Sequence, residues 1–371
     1  MKEIEALIAI SQKYGADDRF VIAGGGNTSY KTADRLWVKA SGHALATITE
    51  DGFAVLDRAL LNPMGEKKYS ADTAEREDQV KNDLAAACIT KGRRPSVETS
   101  MHNCLEAAYI VHLHPTLVGG LMCGKDAQER CAQLFPDALY IPYTDPGYTL
   151  FKKVYDKVAE YKKARGCEPQ VIFLQNHGIF VGADTTAEIG QVYDGILSTL
   201  EKEVRPVPQG EAPVCDCISE TIPAIRTVLS RGGRGLKTLK VTNNALINSF
   251  IESKAAADAV LSPFTPDGIV YCKSEYIYLD APCDKLAAQA EKKIEAYVEK
   301  RGHTPKVLLI KGVGLVAVGD NAKNARIITD VFYDAMKIAW YAQSFGGQHP
   351  MTKRQIEFID NWEVENYRRK V

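Results

Sequence analysis

The stretch FVIAGGGNTSYKTADRLWVKASG, residues 20–42, decides what kind of α/β protein this chain is. An apolar run breaks at Gly24, Gly25 and Gly26, and Ser29 stands where G-x-G-x-x-G would have its third glycine. A dinucleotide loop needs a helix straight after the glycines, because the helix N-terminus carries the pyrophosphate. The next residues instead include Thr28, Ser29, Tyr30, Thr32, Trp37 and Val38, with turn formers around Asp34, which is the composition of strand, turn, strand. No G-x-x-x-x-G-K-[ST] occurs in the chain, so the Walker reading falls as well. The glycines alone read as an ordinary tight turn. Between strands, their bare N–H groups can also form a nest for an anion.

Outward from this stretch, 371 residues with 45% hydrophobic content are enough for two domains, each with its own core. A formal net charge of −1 gives no basic field for nucleic acid. The cationic stretch RGGRGLK, 231–237, reads as an exposed loop. No apolar run has membrane-spanning length, and the opening MKEIEALIAISQKYG is an amphipathic helix pattern unlike a secretory signal, so a cytoplasmic protein without a membrane partner is expected. Nine scattered cysteines fit a reducing compartment, with mostly buried thiols. Cys215 and Cys217, in VCDC, are too few and too close for a structural zinc site.

Residues 204–223 carry four prolines and little periodicity, as a connection between domains does. Either side of it, KVAEYKKARGCEPQVIFLQNHGIFVGAD (157–184) and KIEAYVEKRGHTPKVLLIKGVGLVAVGD (293–320) align without a gap, with identities that include Arg165/Arg301, Gly166/Gly302, Gly178/Gly314 and Asp184/Asp320. Each copy predicts a helix ending in Arg-Gly, a buried strand, a glycine turn and a second strand, followed by another helix. The expected organisation is a first domain 1–205, a proline-rich linker 206–222 and a related second half 223–371. His177 becomes Val313 in the second copy, and pairing IVHLHPT with LSPFTPD sets Pro263 and Thr265 against His112 and His114. Three histidines lost together from a retained scaffold suggest that they act together in the first half.

In AAYIVHLHPT (107–116) an apolar strand ends at Pro115, and its alternation points His112 and His114 to the same side. A lone H-x-H is as often a structural pair as a metal site. His177, at the end of the apolar run VIFLQ and before Gly178, supplies a third imidazole, and three neutral imidazoles with an open position are the ligand set of a catalytic zinc site. In RPSVETSMHNCLEAAY (94–109), Ser96 reads as the N-cap of a helix running through Met101, Leu105 and Ala108, with Glu98 in its first turn. Locally, Glu98 needs no more than the helix dipole to explain it, a matter of up to about 1 kcal/mol. His102, one turn on, is an alternative ligand or partner.

With GGGNTS at 24–29, VKASG at 38–42, PSVET at 95–99, VHLHP at 111–115, PYTDPG at 142–147 and NHG at 176–178, in that order, the chain resembles the class II aldolase/adducin family. The likeness continues through SPFTPDGIVYCK (262–273), LLIKGVGLVAVG (308–319) and FIDNWEVENYR (358–368). In this it is similar to the aldolase part of the bifunctional rhamnulose-1-phosphate aldolase/alcohol dehydrogenase proteins, here without their dehydrogenase domain. The resemblance implies a three-layer α/β/α aldolase-like fold present as two tandem related halves, the second lacking the metal ligands. It implies Zn2+, or another divalent transition metal, on His112, His114 and His177. Glu98 is implied as acid/base and as a further ligand of the empty metal. Gly26, Asn27, Ser41, Gly42 and Ser96 fall where the family holds the substrate phosphate, and Tyr143 where it has a tyrosine near the reaction. Val97 departs from the second serine of the fuculose-phosphate aldolases. The activity implied is reversible cleavage of a ketose 1-phosphate to dihydroxyacetone phosphate and an aldehyde by a homo-oligomer. The same metal scaffold also serves epimerases and dehydratases, and adducin-like chains use it as a binding module. The second half is expected to be a structural or assembly domain.

Overall fold

The residues after the glycines fold into the hairpin that their composition predicts. In the computed structural model, which describes residues 2–361, β1 (Asn27–Lys31) pairs antiparallel with β2 (Arg35–Lys39), and β3 (Phe53–Asp57) extends the sheet beyond β2. The other edge of β1 lies antiparallel to β4 (Tyr109–Leu113), with Asn27 directly opposite His112. Gly26 is required by that pairing. Its φ is 71°, and a Cβ there would sit 2.8 Å from the His112 carbonyl oxygen. Next come β7 (Gly178–Ala183), β6 (Val171–Leu174) and β5 (Leu139–Ile141), giving the order β3-β2-β1-β4-β7-β6-β5.

Both faces of this sheet are covered. Leu36, Val38, Ile110, Ile172, Leu174 and Phe180 pack with Val80 and Leu84 of the helix Thr73–Ala87 and with Leu150, Val154 and Val158 of the helix Tyr148–Arg165. On the other face lie the helices Lys2–Gly15 and Thr186–Glu201. There Tyr14, Phe20 and Tyr193 bring their rings within 4.7 to 5.7 Å of one another, and the Tyr193 hydroxyl donates to the Val111 carbonyl. The first helix buries Ile4, Leu7, Ile10, Ser11 and Tyr14, the stripe its sequence spacing sets.

The chain divides into two compact units. The first runs to Met122 and resumes over Asp126–Val204; Cys123–Lys125 and the described residues from Arg205 onward make the second. The helix Ile218–Ser230, with Pro223 inside it, begins within the proline-rich stretch. In the second unit β8 (Thr238–Thr242), β9 (Ile277–Leu279), β10 (Val307–Ile310) and β11 (Gly314–Gly319) form a sheet of order β8-β11-β10-β9, again with helices on both faces. Its helix Cys283–Arg301 ends at Gly302 with φ 73°, as Tyr148–Arg165 ends at Gly166 with φ 77°. The terminal part of FIDNWEVENYR lies outside the described residues.

This sheet repeats β4-β7-β6-β5, and the strand registers correct one sequence pairing. β8 lies on β11 as β4 lies on β7, so Val241 faces Val316 where His112 faces Phe180. The counterparts of His112 and His114 are therefore Val241 and Asn243. Pro263 and Thr265 instead lie just ahead of the helix Pro266–Cys272. LSPFTPD matched IVHLHPT in its proline and apolar character, whereas β8, TLKVT, carries no histidine to mark it as the equivalent strand. The cysteines also differ from expectation: of the nine, Cys123, Cys131 and Cys272 are buried, four are intermediate, and Cys167 and Cys283 are exposed. Arg231 and Arg234 of the glycine-rich loop pair with Glu291 and Glu295, and Lys237 pairs with Asp320. No described helix is long and apolar enough to cross a membrane.

Candidate metal centre

Three neighbouring strands bring the histidines together. β4 carries His112 in its interior and His114 just past its end, and the β6–β7 turn presents His177. Asn176 takes φ 54° in that turn, a left-handed position that Asn tolerates and that Gly312, φ 73°, occupies in the second unit. The three rings stand 4.8 to 5.1 Å apart by centroid, and one nitrogen from each lies within 4.8 Å of the others. Gly178 leaves room for both the His114 ring and the neighbouring strand: a Cβ would fall 2.5 Å from that ring and 2.6 Å from the Leu113 carbonyl oxygen.

Glu98 joins this triangle. Its Oε1 lies 3.3 Å from His112 Nε2 and 3.3 Å from His177 Nε2. The helix that follows is shorter than expected, Thr99–Cys104, and Glu98 itself occupies the N-cap. Leu105 is already extended, because the chain must turn there to enter β4, and Ala108 donates its N–H to Asp184. Ser96 still works in this turn: its hydroxyl accepts from the Glu98 N–H at 3.2 Å, and its carbonyl accepts from Thr99.

The ionisation states suit a cation. Burial would raise the Glu98 carboxyl, but His112 and His177 beside it outweigh that and hold it well below the usual carboxylate range. Burial pushes His112 down to about 4 despite the pull of Glu98, so the imidazole is neutral. His112 Nδ1 donates to the Ile179 carbonyl at 3.0 Å, which fixes the tautomer and leaves the Nε2 lone pair facing His114 and Glu98. A neutral His112 imidazole of fixed tautomer and an ionised carboxylate at one buried point fit a divalent metal; His112, His114 and His177 could hold it.

A second layer reaches Glu98 from β1. Asn27 Nδ2 donates to Glu98 Oε2 at 2.5 Å and lies 3.3 Å from the Ser96 hydroxyl. The Asn27 carbonyl oxygen accepts from His102 Nε2, and His102 Nδ1 accepts from the Ser29 hydroxyl at 2.7 Å. Burial holds His102 well below the ordinary histidine range, so a single neutral tautomer completes the chain Ser29–His102–Asn27–Glu98. His102 is thus outside the metal cluster and acts through Asn27. Sequence reasoning missed Ser29. Its signal was there: Asn27, Ser29 and Lys31 alternate along β1 as a polar row where a core-facing row belongs, and all three are buried.

The remaining predicted groups gather partly. An isolated bridge between Ala40 and Pro95 sets Ser41 beside the turn that holds Ser96, and the Ser41 N–H donates to Arg94. Gly42 has φ 89°. Tyr143 is placed by its backbone, its N–H donating to Gln175 two residues before His177. Gly26 contributes a close approach of β1 to β4.

The family described as "Class II Aldolase and Adducin N-terminal domain" matches residues 5–193, and "Aldolase class II, second domain" matches residues 299–368. A Bacillus subtilis protein named "Uncharacterized oxidoreductase YuxG" is 23% identical over 99% of this chain, which spans 58% of that protein's length. Among solved structures, the N-terminal class II aldolase domain of a conserved Thermoplasma acidophilum protein is 27% identical, with a TM-score of 0.47 over 55% of this chain and 94% of that one. An L-fuculose-1-phosphate aldolase from Thermus thermophilus is 15% identical, with a TM-score of 0.35 over 54% of this chain and 95% of its own. With a match over more than half of its length, the chain belongs to the class II aldolase/adducin family.

Proposed function

We propose that the first unit is a metal-dependent aldolase that cleaves a ketose 1-phosphate, of the rhamnulose-1-phosphate kind, to dihydroxyacetone phosphate and an aldehyde. The convergence of the Glu98 carboxylate on the nitrogens of His112 and His177, with His114 beside them, carries this reading. A divalent ion held there, zinc by the character of the ligands, supplies Lewis-acid stabilisation of the charge that cleavage leaves on the ketone fragment. Breaking the C3–C4 bond takes the proton from the C4 hydroxyl and returns one to C3. In the addition direction Glu98, ionised and buried, is the base that takes the proton from C3; cleavage runs the same transfer in reverse, from the protonated carboxyl back to C3. Asn27 aims it by holding Oε2, which leaves Oε1 turned to the histidines. Tyr143 is assigned to the C4 hydroxyl. Gly26, Asn27, Ser41, Gly42 and Ser96 are assigned to the wall for the phosphate.

A panel of ketose 1-phosphates, including rhamnulose and fuculose phosphates, tests the reading with dihydroxyacetone phosphate release as the readout. The metal-loaded protein is expected to cleave at least one member, and Glu98→Gln to keep its metal while losing at least about a hundredfold in kcat, the scale of a general acid/base. A C4 epimer formed without dihydroxyacetone phosphate, or full turnover in Glu98→Gln, would refute it.

A further inference from the structure

In the second unit, the sheet end that matches the histidine-bearing end of the first carries sulfur instead. Helix Cys283–Arg301 begins there after β9, and the β10–β11 turn lies beside it, since β9 and β10 run parallel. Cys215 is anchored to that turn, its N–H donating to the Gly312 carbonyl at 2.7 Å. Cys217 sits at the N-cap of the helix Ile218–Ser230. The two helices pack through Ile225, Val228 and Leu229 against Leu286, Ala290 and Ile294, which fixes Cys217 and Cys283 relative to each other. The sequence spacing of Cys215 and Cys217 excluded a zinc site for want of ligands; the fold adds Cys283 from 66 residues further on.

We propose that Cys215, Cys217 and Cys283 are a three-thiolate site for a zinc ion, separate from the histidine centre. Their sulfurs all lie within 4.8 Å of one another, and thiolates sharing one tetrahedral zinc at about 2.3 Å stand about 3.8 Å apart. The Cys215 and Cys283 sulfurs are 2.9 Å apart, and the Cys217 N–H points to the Cys215 sulfur at 3.3 Å, the bond that stabilises a coordinated thiolate. Cys217 and Cys283 both stand at helix N-termini. Cys215–Cys283 alone would suit a disulfide, but that pairing gives the third sulfur no role. Zinc displaces three thiol protons and carries a net −1 charge with its sulfurs. Cys283 is exposed, so the sulfurs are within reach of solvent.

The test uses the full chain, reduced, metal-free and kept from oxygen, with Zn2+ alone as the probe. Each cysteine is alkylated and its rate followed by mass spectrometry, with exposed Cys167 as the internal control. Zinc is expected to slow Cys215, Cys217 and Cys283 together by at least about tenfold and to leave Cys167 unchanged. A full-length His114→Ala/His177→Ala variant is expected to retain one zinc per chain, which separates this site from the proposed aldolase centre. Protection of fewer than three of these thiols overturns the proposal, and so does a Cys215–Cys283 disulfide that forms equally with and without zinc.

Discussion

Lys31 is a buried lysine at the inner end of the polar row on β1, and its removal tests how that row is held. Burial, together with Arg58 nearby, lowers its ammonium from 10.5 to about 7, while Cys104, Glu168 and Asp184 pull the other way. The Nζ donates to the Ala107 carbonyl. Each pH unit of such a displacement is worth about 1.4 kcal/mol, so burying the protonated amine costs the folded unit about 5 kcal/mol. The sign follows from proton uptake. Below pH 7 both folded and unfolded chains hold the proton, and the full cost is present. Between about 7 and 10.5 only the unfolded chain holds it, so stability rises with pH; above 10.5 the cost is gone. Lys31→Met removes the charge and leaves the Ala107 carbonyl without this donor, a loss of about 1 kcal/mol. The variant is expected to be more stable by several kcal/mol at pH 6.5, and the gap is expected to close by about pH 10. Urea unfolding followed by Trp37 fluorescence, with Trp340 and Trp362 replaced by Phe, reads the first unit alone. Parallel pH profiles for the parent protein and the Lys31→Met variant would refute the reasoning.

Further perturbations bear on the site and on the duplication. Gly178→Ala drives a Cβ to 2.5 Å from the His114 ring and 2.6 Å from the Leu113 carbonyl; metal affinity is expected to fall at least about tenfold by equilibrium dialysis, with unchanged far-ultraviolet circular dichroism. Asn27→Ala frees Glu98 Oε2 and strands His102; kcat is expected to fall about 10- to 100-fold with the metal retained, and loss of metal in step with activity would count against a positioning role. Gly166→Ala and Gly302→Ala meet open space but force alanine to φ near 75°, so each is expected to cost about 1 kcal/mol in urea unfolding of its own unit.

Much of the fold was legible because its signals are local. The strand composition after Gly26 excluded a Rossmann loop, and the Arg-Gly helix ends marked both copies. The H-x-H pair and the NHG turn reached the centre because alternation and a tight turn orient side chains without help from distant residues. The features that stayed hidden depend on long-range pairing. His102 looked like a spare ligand until β1 set Asn27 opposite His112, which puts Asn27 between His102 and Glu98. VCDC looked incomplete because its third sulfur comes from a helix after β9. β8 was invisible as the counterpart of β4 because its register on β11, not its residues, declares the relation.

The duplicated sheet separates what each motif residue does. Gly178 and Gly314 are both retained, and in both units a Cβ would strike the neighbouring strand: 2.6 Å from the Leu113 carbonyl in the first, 2.4 Å from the Thr242 carbonyl in the second. The glycine of NHG is therefore kept by strand packing whether or not a metal ligand is present. The groups that vary are the ones with chemistry: His112 against Val241, His114 against Asn243 and His177 against Val313. Val313 is fully buried in the apolar core, where an imidazole would need a polar partner. Strands β1 to β3, which bring Asn27 and the Ser41 turn to the first unit, have no counterpart among the described residues of the second unit's four-stranded sheet. Restoring histidine at 241, 243 and 313 would therefore rebuild the ligands without Glu98, without Asn27 to aim it and without the phosphate wall. The difference between the halves is thus the loss of a supporting layer as well as of three imidazoles.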